Sequence, residues 1–144
     1  MPATLETLLG LYKEQADQAR HHEELRATVT NVVIAVAGAL FALVRLDQGG
    51  ASLQRPMGAF LVALGVFGAL VSAKHYERNR HHARLARAYR QAIEALDPGT
   101  KVKRRPARKK HERRFPRLKR IPLWSLWVGI HAFVCGVGVM LMFA

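Results

Sequence analysis

Three long stretches without a charged residue constrain the fold of this chain more than any other feature. They cover roughly Ala27–Val44, Met57–Ala73 and Ile121–Ala144, and none contains Asp, Glu, Lys or Arg. A helix needs about 20 apolar residues, within a range of about 17–25, to cross the hydrocarbon core of a bilayer. Helices of soluble bundles are normally apolar on one side only. The three stretches therefore predict transmembrane helices, and 144 residues leave room for one domain.

The basic residues between the second and third stretches predict the orientation of the chain. Residues Lys74–Arg120 hold 18 of the 23 Lys and Arg residues but only four acids, and the rest of the chain holds five basic and six acidic residues. Loops rich in Lys and Arg stay on the cytoplasmic side of a membrane. We therefore expect a multi-pass protein of the cell inner (plasma) membrane, with a cytoplasmic N-terminus and a C-terminus outside.

Helical periodicity continues from the first two spans into the flanking polar sequence, because neither Gly nor Pro separates them. Turn-forming residues such as Asp47, Gly49 and Gly50 separate the two spans, and Asp97-Pro98-Gly99 ends the second helix. The predicted segments are a cytoplasmic amphipathic helix (1–26), a first transmembrane span (27–46), an outer loop (47–56), a second span (57–73), a cytoplasmic helical extension (74–96), a polybasic linker (97–120) and a third span (121–144).

The cytoplasmic parts of the first two helices have similar lengths, about 33–35 Å for residues 5–26 and 74–96 at about 1.5 Å per residue. We expect them to pack antiparallel as a stalk, with residues level where their numbers sum to about 100, so that Asp17 lies near Arg84. The predicted fold is thus an all-α integral membrane protein. It combines a transmembrane helical hairpin, a cytoplasmic antiparallel helical stalk and a third C-terminal transmembrane helix.

Small residues four positions apart occur in each predicted span. Such residues let helices approach closely in lipid, where association depends on packing. They favour packing within one chain, with contacts between copies in an oligomer as the alternative. The residues concerned are Gly38 and Ala42, Gly65 and Ala69, and Ala132 and Gly136.

Few polar residues interrupt the predicted spans. Asn31, Ser72 and Ser125 should lie at similar depths and are candidates for one hydrogen-bonded layer. His131 lies about 15 Å into the third span, and apart from Cys135 it is the titratable residue deepest in a span. An ionisable group at that depth is a candidate for a pore or a proton path. The alternative, which we favour, is a neutral imidazole bonded to the backbone or a hydroxyl of a neighbouring helix.

The linker contains the chain's candidate binding site for polyanions. Twelve of the residues 101–120 are basic, far more than topology alone requires. Three explanations remain open: orientation of the loop, binding of anionic lipid headgroups, and binding of an acidic protein or nucleic acid through phosphates. The residues are Lys101, Lys103, Arg104, Arg105, Arg108, Lys109, Lys110, Arg113, Arg114, Arg117, Lys119 and Arg120.

The sequence contains no pattern typical of an enzyme. It has no Gly-rich phosphate loop, no Cys–His arrangement and no nucleophile elbow. Two histidine pairs, at 21–22 and 81–82, are expected to approach each other across the stalk. Adjacent histidines point to different faces of a helix and lack the spacing of a helical zinc motif. We therefore predict no catalytic residue, no cofactor and no metal site.

The arrangement of residues 5–96 resembles that of the SLATT-type small membrane effectors of bacterial conflict systems. The stretch runs from Tyr12-Lys13-Glu14-Gln15 and Arg20-His21-His22-Glu23, before the first span, to Ala73-Lys74-His75-Tyr76-Glu77-Arg78 after the second. The likeness lies in the order of helices, and the third span and polybasic linker depart from it. The resemblance implies an oligomer that perturbs the membrane when a sensor signals, and it assigns no functional residue.

Together these features predict a small oligomeric membrane protein. It is expected to act as a membrane-perturbing or pore-forming effector, in a role such as anti-phage defence, controlled through its cytoplasmic basic region. The alternative is a non-conducting membrane anchor or adapter. Such an adapter would recruit an acidic partner, anionic lipid or nucleic acid through residues 74–120.

Overall fold

The computed structural model describes residues 4–46, 51–101, 104–114 and 122–143, and in these ranges the chain forms helices and no strand. Among the described residues, α1, α2 and α4 are long and apolar enough to cross a membrane. The predicted all-helical class and the three membrane-length apolar helices are therefore confirmed. The helices are α1 (Leu5–Leu46), α2 (Ala51–Leu96), a 3₁₀ helix (Pro98–Thr100), α3 (Arg104–Arg114) and α4 (Leu123–Phe143).

The first two helices are each much longer than a bilayer is thick. They contain 42 and 46 residues, which correspond to about 63 and 69 Å at about 1.5 Å per residue. The hydrocarbon core is only about 30 Å thick. The uncharged stretch of each helix occupies one part of its length, and most of its charged residues lie in the rest. Each helix therefore has one part suited to lipid and another suited to water.

The region between the first two apolar stretches is more helical than the sequence predicts. We expected a loop over 47–56, but α2 already begins at Ala51, and residues 47–50 lie outside the described residues. Pro56 is therefore the sixth residue of a helix rather than part of its first turn. A proline there removes one backbone hydrogen bond, but α2 continues without a break to Leu96.

Part of the segment predicted as a polybasic linker is a short helix. Residues Arg104–Arg114 form α3, and Pro106 is its third residue. The first four N–H groups of a helix have no partner within it, so a proline at this position removes no hydrogen bond. Before α3, the carboxylate of Asp97 accepts a hydrogen bond from the Gly99 amide at 3.0 Å, directly after the end of α2 at Leu96.

The chain divides into two compact units. The polar unit contains Met1–Glu23 and Glu77–Pro122, and the apolar unit contains Glu24–Tyr76 and Leu123–Ala144. The acids and bases are concentrated in the polar unit, whereas the three uncharged stretches, apart from Ile121 and Pro122, belong to the apolar unit. Each unit has its own interior.

Candidate functional site

The interior of the apolar unit is formed by one face from each of α1, α2 and α4. Val33, Leu61 and Val134 are its buried hydrophobic residues, with exposed fractions of 2, 1 and 5%. The inward positions recur three and four residues apart, the spacing by which one face of a helix is kept against a partner. The outward faces carry many exposed large apolar side chains, among them Phe67 and Phe133, as expected for helices surrounded by lipid.

Backbone contact between α2 and α4 is closest at Gly58 and Gly138. A Cβ atom at Gly58 would lie 2.6 Å from the Gly138 carbonyl oxygen, and one at Gly138 would lie 2.6 Å from the Gly58 carbonyl oxygen. Any larger side chain at either position would therefore force the helices apart. As residue numbers rise along α2, the contacted numbers fall along α4, so these helices are antiparallel.

Two further glycines of α2 create the space that His131 occupies. A Cβ at Gly65 would lie 2.9 Å from the His131 carbonyl oxygen, and a Cβ at Gly68 would collide with the imidazole at Nδ1. His131 is fully buried, with an exposed fraction of 0%. An imidazole can lie inside this narrow bundle because α2 presents backbone rather than a side chain to it.

The imidazole of His131 meets the hydroxyl of Thr30 on α1. The Nε2 and Oγ1 atoms are 3.3 Å apart, and the same hydroxyl donates to the Arg26 carbonyl oxygen at 3.0 Å. Because a threonine hydroxyl has one hydrogen to donate, this geometry suits the tautomer in which His131 Nε2–H donates to Thr30. Nδ1 has no hydrogen-bond partner among the described residues, and an unprotonated nitrogen there leaves no donor unsatisfied.

One helical turn before Thr30, Arg26 lies among aromatic rings. Only 2% of its surface is exposed, and its guanidinium carbon lies 5.0 Å from the ring centre of Trp127 and 5.8 Å from that of Tyr76. Tyr76 also approaches Trp124, with ring centres 6.3 Å apart. Cation–π attraction at such distances contributes about 0.5–2 kcal/mol. A positive charge is thus held at the end of the apolar interior.

The three residues predicted to form a polar layer in the spans differ in their burial. Ser72 is buried with an exposed fraction of 2%, Ser125 is half-buried, and Asn31 is exposed on the outer face of α1. Thr30 rather than Asn31 supplies the inward polar group on α1. The apolar neighbours on both sides make the inward residue of this pair difficult to identify from spacing alone.

The small residues predicted to pack between helices differ in their surroundings. Gly65 makes the close contact with α4, and Ala69 is half-buried. In contrast, Gly38 and Gly136 have no atom within 4 Å of a Cβ built on them. Gly38, Ala42, Ala132 and Gly136 are exposed, so for these four residues contact between copies in an oligomer remains the open alternative to packing within the chain.

The polar unit joins α1 to α2 through side-chain hydrogen bonds. Asn79 donates to the Ala19 carbonyl oxygen at 2.7 Å, and His82 Nδ1 donates to Gln15 Oε1 at 2.7 Å. These pairs have numbers that sum to 98 and 97, so the two helix segments are antiparallel. Its buried apolar residues are few, namely Leu8, Ala86 and Ile93.

The cross-helix ion pair expected for Asp17 is not formed. Its carboxylate instead binds Arg20 of the same helix at 3.0 Å, with both side chains exposed. Partners three residues apart on one helix are already neighbours, so Asp17 can reach Arg20 whatever the register between α1 and α2.

Four histidines cluster between the helices of the polar unit. The rings of His22 and His82 stack with centres 5.4 Å apart, His81 approaches His82 edge-on at 5.3 Å, and His21 lies 6.1 Å from His22. Stacked rings place their nitrogen atoms side by side rather than towards a common point. Within the described ranges, no group of three or more His, Cys, Asp or Glu residues is placed to hold a metal ion.

The basic side chains described in and just before α3 are exposed. They are Lys101, which precedes the helix, and Lys109, Lys110, Arg113 and Arg114 within it. Seven of the eleven residues of α3 are basic and only Glu112 is acidic. Of the other predicted polyanion-binding residues, the backbone alone is described for Arg104, Arg105 and Arg108, and those outside the described residues are Lys103, Arg117, Lys119 and Arg120.

The chain matches no protein-family model, and no curated protein or solved structure is significantly similar to it.

Sequence reasoning missed the residues that form the closest contacts. A spacing of four between small residues does not identify Gly58, Gly68 and Gly138, because the inward face of α2 alternates steps of three and four. Arg26 was assigned to the water-exposed helix because it is charged. The spacing from Arg26 through Thr30 to Val33 was the signal that could have placed it inside.

Proposed function

We propose that this protein is a multi-pass membrane anchor that holds a basic helix at the cytoplasmic surface of the bilayer, where it binds phosphate-bearing headgroups. The observation that carries the proposal is the composition of α3, with seven basic residues against one acid in eleven positions. The cytoplasmic side follows from the tendency of Lys- and Arg-rich loops to remain there.

The composition of α3 favours binding by charge alone. Pro106 and Ala107 are its only apolar residues, so the helix has no apolar face to insert between lipid tails. Helices that lie within the interface require such a face. Binding to anionic headgroups contributes about 1 kcal/mol per basic residue near the surface and decreases within a Debye length.

The covalent connection to α4 favours lipid over a soluble polyanion. Only eight residues separate Arg114 from Leu123, where the apolar helix α4 begins. An extended chain covers at most about 3.6 Å per residue, so α3 remains within roughly 30 Å of the start of that helix. A bilayer with anionic lipids is always present at this distance, whereas a soluble partner must be recruited.

Hydrogen–deuterium exchange of the full-length protein in nanodiscs tests the proposal. Residues 104–114 should exchange more slowly in discs that contain anionic phosphatidylglycerol than in discs of zwitterionic phosphatidylcholine. High salt should remove the difference, as should replacement of Lys109, Lys110 and Arg113 by Gln. Equal exchange in both lipids at low salt would contradict the proposal, and protection only upon addition of RNA would assign the helix to nucleic acid.

A second function, the oligomeric membrane-perturbing effector, is favoured by one observation. Asn31, Gly38 and Ala42 share an exposed face of α1, and an amide side chain facing lipid is a group that a second copy could bind. We also propose on this basis that the likeness to SLATT-type effectors extends to assembly. His131 is buried inside one chain, so a pore would need other lining residues.

Flux from liposomes that contain purified protein distinguishes the effector from the anchor. An effector should release a trapped dye once the protein assembles, and Asn31→Leu should reduce both assembly and release. No leakage in any oligomeric state would exclude the effector and leave the anchor as the function.

A further inference from the structure

The two sides of α4 differ in how tightly they are packed. Towards α2 its backbone is in contact at Gly138, but towards α1 a cavity of about 730 Å³ separates the helices. The cavity has Leu61 and Val134 among its lining residues, and Gly38 and Phe133 at its sides. Since Gly38 and Phe133 are exposed, the cavity opens on the outer surface of the apolar unit, and we call it the α1–α4 groove.

Two glycines keep this groove open. Gly38 on α1 and Gly129 on α4 both line it, and a Cβ on either would meet no atom within 4 Å. Unlike the glycines between α2 and α4, they are not covered by a neighbouring helix of the chain. An apolar groove of this size at a lipid-facing surface must be filled by something apolar, because packing is what associates surfaces there.

The groove has one polar lining residue among those described, and that residue lies near the start of α4. Ser125 is the third residue of α4 and lies eleven positions after Arg114 in the sequence. Trp124 beside it is 43% exposed, and exposed tryptophan is typical of the headgroup level. The groove thus extends from the headgroup level into the region suited to hydrocarbon.

We propose that the α1–α4 groove binds an acyl chain of an anionic phospholipid, whose phosphate is attracted by the basic residues of α3, which the chain connects to the start of α4. The inference rests on the proposed function, since it assigns to that electrostatic attraction a defined place for the lipid tail. The charge of the chain favours an anionic lipid over a second copy as the occupant of the groove. The chain carries a net charge of +13, so a second copy would bring further positive charge to the same side, whereas an anionic lipid neutralises it.

The two tryptophans provide a direct measurement. Trp124 and Trp127 are the only tryptophans of the chain and lie at the start of α4. The full-length protein is reconstituted in phosphatidylcholine vesicles with increasing amounts of phosphatidylglycerol that carries brominated acyl chains, which quench tryptophan fluorescence on contact. Half-maximal quenching should require roughly tenfold less of this lipid than of brominated phosphatidylcholine, a preference equivalent to about 1.4 kcal/mol.

Two glycine variants separate the groove from the general lipid surface. Gly129→Leu should fill the groove without a clash and remove most of the preference. Gly136→Leu is the matched control, because Gly136 lies on the same helix with equal space around it but does not line the groove. If the tryptophans of both variants are quenched as in the wild type, the groove is not the binding site. This conclusion holds even if hydrogen exchange of α3 still depends on anionic lipid.

Two further outcomes would overturn the proposal in different ways. Replacement of Lys109, Lys110 and Arg113 by Gln should make half-maximal quenching require equal amounts of the two brominated lipids. Adding Gly129→Leu to this variant should still change the quenching. An unchanged preference in that variant would contradict both the attraction by α3 and the proposed function. If Gly129→Leu instead dissociates an oligomer in cross-linking experiments without changing the quenching, the groove is occupied by a second copy.

Discussion

The helices α1 and α2 meet in both units of this protein, but they use different chemistry in each. In the polar unit they are joined by hydrogen bonds from Asn79 and His82, and few apolar residues are buried. In the apolar unit Val33 of α1 and Leu61 of α2 pack with Val134 of α4, and glycines bring the backbones of α2 and α4 close together. Polar contacts thus hold the helices together where water competes, and complementary shape does so where it does not.

The glycine contact in the apolar unit offers the largest test of this difference. Gly138→Leu places a side chain against the Gly58 carbonyl oxygen, which cannot move without separating α2 from α4. Overpacking costs about 1–3 kcal/mol where side chains can adjust, and here we expect a loss at the upper end of that range or above. Thermal unfolding in detergent, followed by circular dichroism, measures it. Gly136→Leu should have little effect, and equal destabilisation by both variants would contradict the role assigned to shape.

The buried polar contact of the apolar unit offers the second test. Thr30→Val retains the volume of the side chain but leaves His131 Nε2 without its hydroxyl partner. An unsatisfied buried group costs about 1–3 kcal/mol, so the unfolding midpoint should fall. Thr30→Ser keeps the hydroxyl but loses a buried methyl group, which costs about 0.8 kcal/mol, so it should be destabilised less than the valine variant. A valine variant as stable as the wild type would show that the hydroxyl contributes nothing to the interior.

In the polar unit, Asn79→Asp should have a smaller and local effect. It replaces the donor amide with an acceptor of similar size, so the hydrogen bond to the Ala19 carbonyl oxygen is lost at a cost of about 0.5–1.5 kcal/mol. Hydrogen exchange should become faster in residues 5–23 and 77–96 and remain unchanged in α4. Gln91→Glu is the control, because it makes the same chemical change at an exposed position of α2. The prediction is refuted if the two variants exchange alike.

The surface ion pair should matter least. Asp17→Asn removes the contact with Arg20, and exposed pairs three residues apart contribute about 0.2–0.5 kcal/mol. High salt should reduce even this difference between variant and wild type. Glu14→Gln removes one acidic charge from the same helix and gives the baseline. A loss larger than that of Asn79→Asp would mean that charge, rather than hydrogen bonding, joins the helices of the polar unit.

The helices themselves were predictable from the residues. Uncharged stretches of membrane length marked α1, α2 and α4, and Asp97-Pro98 marked the end of α2. The start of α2 at Ala51 and the helix α3 were not predicted, because turn-forming residues precede the second span and a proline lies within α3. Pro106 is compatible with a helix only because it falls in the first turn, and that position depends on where the helix begins.

The sequence alone predicts that the chain is helical, suited to a membrane and strongly basic between its second and third apolar stretches. These properties are sums over many residues, and charge and hydropathy are additive along a chain. Only the tertiary structure shows that Gly58 and Gly138 touch while Gly38 and Gly129 border an open groove, and that Arg26 and His131 lie inside. In helices that are apolar on every side, no hydrophobic contrast marks the inward face. The inward face of each helix is instead determined by which backbones can approach most closely.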